Sequence, residues 1–129
     1  MKKDFAVIFD MDGVLVDSNP HHKIALEQFC KKHGHKLSEE QLREKIFGRT
    51  NRNWIVNLFG NIPESEIIAF AEEKEQLYRE IYKTTIEPVK GLISFLNLLE
   101  QHQIPKAIAT SAPRANVDFT LTRTGTARY

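Results

Sequence analysis

The run Phe5-Ala6-Val7-Ile8-Phe9 is apolar without interruption and breaks at once into Asp10-Met11-Asp12-Gly13. An unbroken apolar run of that length, closed by a polar loop, predicts a strand buried on both faces, as in parallel sheets. Pro105-Lys106-Ala107-Ile108-Ala109-Thr110 predicts a second strand ending at Ser111, with Pro113 placed to open a helix.

The stretch between these strands carries helical spacing. Pro20 to His33 predicts a helix with Ile24, Phe29 and Cys30 near one apolar stripe and a stop at Gly34. Ser38-Glu39-Glu40-Gln41 has the spacing of a capping box and opens a short helix with Leu42 and Ile46, ended by Gly48. Pro63 to Lys83 repeats apolar residues at Ile67, Ala71, Leu77, Tyr78 and Ile81, and Gly91 to Gln103 presents Leu92, Phe95, Leu96 and Leu99 to a sheet. The order strand, helical block, helix, strand predicts an α/β core, residues 1–16 and 88–129, interrupted by a small helical domain at 17–87. Val14 to Asn19 and Glu87 to Lys90 are the expected hinges.

Composition narrows the partners. The chain has 129 residues, 41% hydrophobic and 27% charged, with 18 Lys plus Arg against 17 Asp plus Glu. That balance describes a soluble globular protein, and a net charge of +1 offers no bulk attraction to nucleic acid or an anionic membrane. The partner is therefore expected in a pocket; the oligomeric state is left open. Cys30 is the only cysteine, so an intramolecular disulfide is excluded and a reducing, cytoplasmic setting is the default expectation. The apolar run at Phe5 to Phe9 is too short for a signal peptide or a membrane span.

The chemistry sits at the strand ends. Asp10 and Asp12 are one residue apart, which in an extended segment directs both carboxylates the same way, and Gly13 lets the chain turn closely around a ligand. Mutual repulsion would be relieved by a cation such as Mg²⁺ or by a shared proton. One carboxylate would then suit attack on phosphorus, and its protonated neighbour would serve the leaving oxygen. A capped, solvent-exposed turn is the plainer alternative. Ser111, or Thr110 one residue earlier, could hold a phosphoryl oxygen together with amides at the start of the Pro113 helix, although either hydroxyl would also serve as a helix cap.

Asp10-Met11-Asp12-Gly13-Val14-Leu15-Val16-Asp17-Ser18 resembles the first motif of the haloacid dehalogenase superfamily, in the branch of β-phosphoglucomutase and small sugar-phosphate phosphatases. Ala107-Ile108-Ala109-Thr110-Ser111-Ala112-Pro113-Arg114 resembles its second motif. The resemblance implies a Rossmann-like parallel-sheet core with a helical cap that closes over the phosphate. It implies phosphorylation of Asp10, general acid/base work by Asp12, and Mg²⁺ on the Asp10 carboxylate and the Asp12 carbonyl. Ser111 matches the phosphate-binding hydroxyl. Lys74 resembles a cap lysine that reaches the core site in mutase-like members, and His22 a histidine near the first hinge. Arg49 and Arg52, after Gly48, would meet a substrate phosphate or carboxylate.

For Lys74, Arg49 and Arg52 the plainer alternative is a solvated charge; for Cys30 and Trp54 it is helix packing. The family pattern continues with a phosphoryl-holding lysine and an acidic pair that completes the metal site, and no position up to Tyr129 matches either. The expected function is Mg²⁺-dependent hydrolysis of a small phosphorylated metabolite through an aspartyl-phosphate. The alternatives are a sugar-phosphate mutase and a non-catalytic fragment of such an enzyme.

Overall fold

The structure is a computed structural model that describes residues 4–129. In chain order the elements are β1 (Val7–Phe9), α1 (Asn19–Lys32), α2 (Glu39–Lys45), α3 (Asn51–Phe59), α4 (Glu64–Tyr82), α5 (Leu92–Gln101), β2 (Lys106–Ile108) and α6 (Arg114–Thr124). They form two compact units, one comprising the chain up to Asn19 with Tyr82–Tyr129, the other Pro20–Ile81.

The first unit is α/β. β1 and β2 pair in parallel, with Val7 opposite Lys106, Ile8 opposite Ala107 and Phe9 opposite Ile108. α5 follows Gly91, whose φ of 87° is left-handed, and buries Leu92, Leu96 and Leu99 along one stripe at i, i+4 and i+7. These leucines join Met11, Leu15 and Ile104 in a core against which Val7, Phe9 and Ile108 pack. Each such leucine contributes about 1.5–3 kcal/mol relative to an exposed one.

The expectation that β1 is buried on both faces is corrected: Ile8 is 70% exposed and Phe5 57%. Alternation along the strand turns Val7 and Phe9 toward the core and Ile8 away from it, on the same side as exposed Ala107. Phe95 departs from the expected α5 stripe as well. Its ring meets Phe9 edge to face at 6.0 Å, yet the residue stays 43% exposed.

The second unit is helical. Ser38 accepts from the Gln41 amide at 3.2 Å while the Gln41 side chain accepts from the Ser38 amide at 2.9 Å, so the expected capping box is formed. α3 was not foreseen by apolar periodicity, yet Thr50 caps it by accepting from the Asn53 amide, and Gly60 ends it. Those two signals flank Trp54, Ile55 and Leu58 and would have marked the helix.

Phe29 is fully buried at the centre of this unit, edge to face with Trp54, Phe59 and Phe70 at 5.1–6.1 Å. The buried stripe of α1 is Ala25, Leu26, Phe29 and Cys30, and Ile24 is exposed, contrary to expectation. Five residues from Phe29 at about 100° each place Ile24 some 140° round the helix. Among the described residues, no helix is long and apolar enough to cross a membrane.

Candidate active site

The parallel register sends the loops after β1 and β2 out of the same end of the strand pair, where open α/β sheets place ligand groups. The first loop begins at Asp10, whose Oδ1 accepts the Met11 amide at 2.7 Å. Met11 is fully buried in the core, while Asp10 is exposed and Asp12 half-buried on either side of it. The chain then turns tightly. Val14 and Leu15 amides donate to the Met11 carbonyl at 3.1 and 2.9 Å, and the Gly13 amide to the Val16 carbonyl at 2.9 Å. Gly13 has φ of 74°, a left-handed conformation that favours glycine, and a Cβ there would stand 3.2 Å from Asn19 Nδ2, a contact that a small shift of that side chain would relieve.

This turn returns Ser18 to Asp12. The Ser18 hydroxyl is fully buried and donates to Asp12 Oδ1 at 2.7 Å. One carboxylate oxygen is thereby held by a charge-assisted hydrogen bond. Nearby, the Tyr82 hydroxyl donates to the Asp17 carbonyl at 3.3 Å. Burial, reinforced by the charges of Asp17, Glu87 and Asp12, raises the Tyr82 phenol above its ordinary pKa, so it stays a donor. Sequence reasoning quoted Ser18 only within a motif and missed its bond, because a six-residue separation reveals a partner only once the turn is known.

The second loop carries both candidate hydroxyls. Thr110 is half-buried and its Oγ1 accepts the Ala112 amide at 3.1 Å, while Ser111 is exposed. α6 begins just beyond, with Pro113 at the N-cap position and no side-chain cap; the Asn116 amide donates to the Pro113 carbonyl at 2.9 Å, and the Arg114 and Ala115 amides precede the first intrahelical bond. The arrangement can present a hydroxyl and backbone N–H groups to an anion.

The remaining candidates belong to the helical unit. Lys74 is only 5% exposed, which removes the reading of a solvated charge. Its ammonium donates to Glu75 Oε1 and to His22 Nδ1, each at 3.0 Å. Glu75, also 5% exposed, accepts in addition from Asn51 Nδ2 at 3.2 Å, and Asn51 Oδ1 accepts the indole N–H of Trp54 at 2.9 Å. The His22 ring stacks on Tyr78, centroids 3.7 Å apart and planes 6° from parallel.

Arg49 is exposed and donates from Nε and Nη2 to the Glu44 carbonyl at 3.0 and 2.5 Å, closing the end of α2. Arg52, exposed as well, pairs with Glu64. Trp54 lies in the helical core, and burial pushes the Cys30 thiol up to about 11, consistent with packing and not with nucleophilic chemistry.

Magnesium takes oxygen ligands, and an exposed Asp10 carboxylate with one oxygen engaged only by an amide suits it in kind. Among the described residues no three His, Cys, Asp or Glu side chains gather as a metal site.

A family profile described as haloacid dehalogenase-like hydrolase matches residues 7–129. The chain belongs to that family. A phosphorylated carbohydrates phosphatase of Thermotoga maritima is 28% identical over 129 residues, covering 96% of this chain and 57% of the relative. Hexitol phosphatase A of Escherichia coli is 31% identical over 105 residues, covering 81% and 47%. The crystal structure of a HAD hydrolase, family IA, variant 3, from Entamoeba histolytica superposes with a TM-score of 0.84 at 32% identity, covering 93% of this chain and 55% of that one. The chain thus spans about half the length of the curated relatives it matches. The expected family and the α/β fold class, with an incomplete Rossmann-like core, are both met.

Proposed function

We propose that this chain carries the nucleophile and the general acid/base of a cytoplasmic, magnesium-assisted phosphatase acting on small phosphorylated carbohydrates. The observation that carries the reading is the acidic loop. An exposed Asp10 carboxylate stands at the end of a parallel strand pair, and two residues on Asp12 is held through one oxygen by buried Ser18. The names of two relatives, a phosphorylated carbohydrates phosphatase and a hexitol phosphatase, support the substrate class.

In this reading Asp10 attacks phosphorus and the bond to the leaving oxygen breaks, giving an aspartyl-phosphate. Asp12 donates the proton the leaving alcohol needs and then takes one from the water that releases phosphate. Ser18 restrains the Asp12 carboxylate, so the proton moves at a fixed place. Ser111, with Thr110 as the alternative, and the first amides of α6 hold phosphoryl oxygens. Lys74, His22 and Arg49 of the helical unit serve the remainder of the substrate, in the role of a cap. The Asp10 carboxylate and the Asp12 carbonyl would hold Mg²⁺, which supplies charge neutralisation at the phosphoryl group.

The test is intact-mass detection of a phosphoryl adduct together with phosphate release from a panel of sugar phosphates. Asp10→Asn should lose both, because an amide is a poor nucleophile, and Asp12→Asn should fold but turn over slowly. Full phosphate release by Asp10→Asn would overturn the mechanism. Isomer exchange without released phosphate would replace hydrolysis by a mutase reaction.

A further inference from the structure

The chain leaves the first unit after Asn19 and re-enters it at Tyr82, so the segments 14–19 and 82–90 both belong to that unit. Two bonds join them there. The Val89 amide donates to the Leu15 carbonyl at 2.9 Å, and the Tyr82 hydroxyl donates to the Asp17 carbonyl at 3.3 Å. Between these two acceptors the Val16 carbonyl accepts the Gly13 amide, as alternation along an extended segment leads one to expect. Residues 15–17 are thus held along one edge by the acidic loop and along the other by the returning chain.

Ser18 follows directly. The peptide that joins it to Asp17 is planar, so a bond that fixes the Asp17 carbonyl oxygen also fixes the orientation of the Ser18 amide. That orientation sets the direction from which the Ser18 hydroxyl approaches Asp12 Oδ1. Tyr82 is suited to the task. It is 3% exposed, and its own carbonyl accepts the Thr85 and Ile86 amides at 3.1 and 2.9 Å, so its backbone is fixed where α4 ends. A phenylalanine would fill the same space and donate nothing. Tyr82 and Asp12 take part in other interactions too, so a direct effect of one on the other has to be told apart from an effect relayed by Ser18.

We propose that Tyr82 is a positioning residue for the acidic loop: by holding the Asp17 carbonyl it orients Ser18, which in turn holds the carboxylate of Asp12. Its geometry lies within the first unit. Its consequence for turnover rests on the phosphatase reading, in which Asp12 moves the proton.

The experiment compares the 129-residue chain with Tyr82→Phe, Ser18→Ala and the double variant. At neutral pH the carboxylate carbon resonance of Asp12 should move in Tyr82→Phe in the same direction as in Ser18→Ala, and by less. In the Ser18→Ala background, Tyr82→Phe should move it no further, an outcome that loss of packing or a direct field effect would not produce. With a hexitol 6-phosphate as probe substrate, Tyr82→Phe should lower kcat about threefold to tenfold at unchanged KM, the range of one hydrogen bond. An unmoved resonance in Tyr82→Phe, or an equal displacement with and without the Ser18 hydroxyl, overturns the assignment, as does an unchanged kcat where the wild type turns over. If Tyr82→Phe fails to fold, the wild-type chain decides: the Tyr82 hydroxyl proton should exchange slowly with water, and free exchange overturns the proposal. Absence of phosphate release by the wild type overturns the phosphatase reading, and the Asp12 resonance then decides the placement of Tyr82 by itself.

Discussion

Replacing Ser18 by alanine removes one oxygen atom and isolates a single interaction, because the side chain is otherwise retained. The hydroxyl is fully buried and its only described acceptor is Asp12 Oδ1 at 2.7 Å. A hydrogen bond to a charged group contributes about 1.5–3 kcal/mol, and loss of one oxygen leaves too little space for a cavity term of comparable size. Asp12 is half-buried, so water can partly replace the lost donor, and the expected cost falls at the lower end, about 1.5–2 kcal/mol. The assay is a double-mutant cycle with Asp12→Ala, which removes the acceptor, read by urea unfolding of the first unit through far-UV dichroism and amide exchange in Met11 to Ser18. A coupling of about 1 kcal/mol or more is expected between the two sites. Additivity within about 0.3 kcal/mol would show that the bond carries no weight and that Ser18 does not restrain the Asp12 carboxylate.

Phe29→Ala should destabilise the helical unit by about 3–5 kcal/mol, since it empties the space among Trp54, Phe59 and Phe70; Trp54 fluorescence during denaturation reads the loss, and a cost below about 1 kcal/mol would contradict this core. Cys30 should resist a disulfide-exchange reagent in the native chain at pH 8 and react fully after unfolding, because burial has pushed its thiol up to about 11; rapid native labelling would refute that. At Glu73 the upward push of burial is outweighed by hydrogen bonds and charges from Lys32 and His33, and the carboxyl lies below its ordinary pKa. The folded state therefore binds this proton less readily than the unfolded one. Its stabilisation is complete above the ordinary carboxylate pKa and disappears as pH falls through the lowered value, so Glu73→Gln should flatten the acid limb of the stability profile.

Local structure was legible wherever one short segment contained its own cause. Ser38 and Gln41 satisfy each other's amides three residues apart, Gly91 opens α5 where a left-handed residue is needed, and the apolar run before Asp10 announces a strand that ends in an acidic loop. The pair Asp10 and Asp12, and a hydroxyl-bearing loop before α6, were likewise visible from residue type and spacing. The side of a strand or helix that is covered depends on what packs there, and it was decided only in three dimensions. Ile8 and Ile24 are apolar and exposed, whereas Lys74 and Glu75, charged and adjacent in sequence, are buried. Ser18 reaching Asp12, and His22 reaching Lys74 across 52 positions, depend on how the turn and the helices bring distant atoms to hydrogen-bond distance. Composition and periodicity carry no record of that distance, since a hydrogen bond to a buried charge is specified by the whole packed unit and not by the residues that make it.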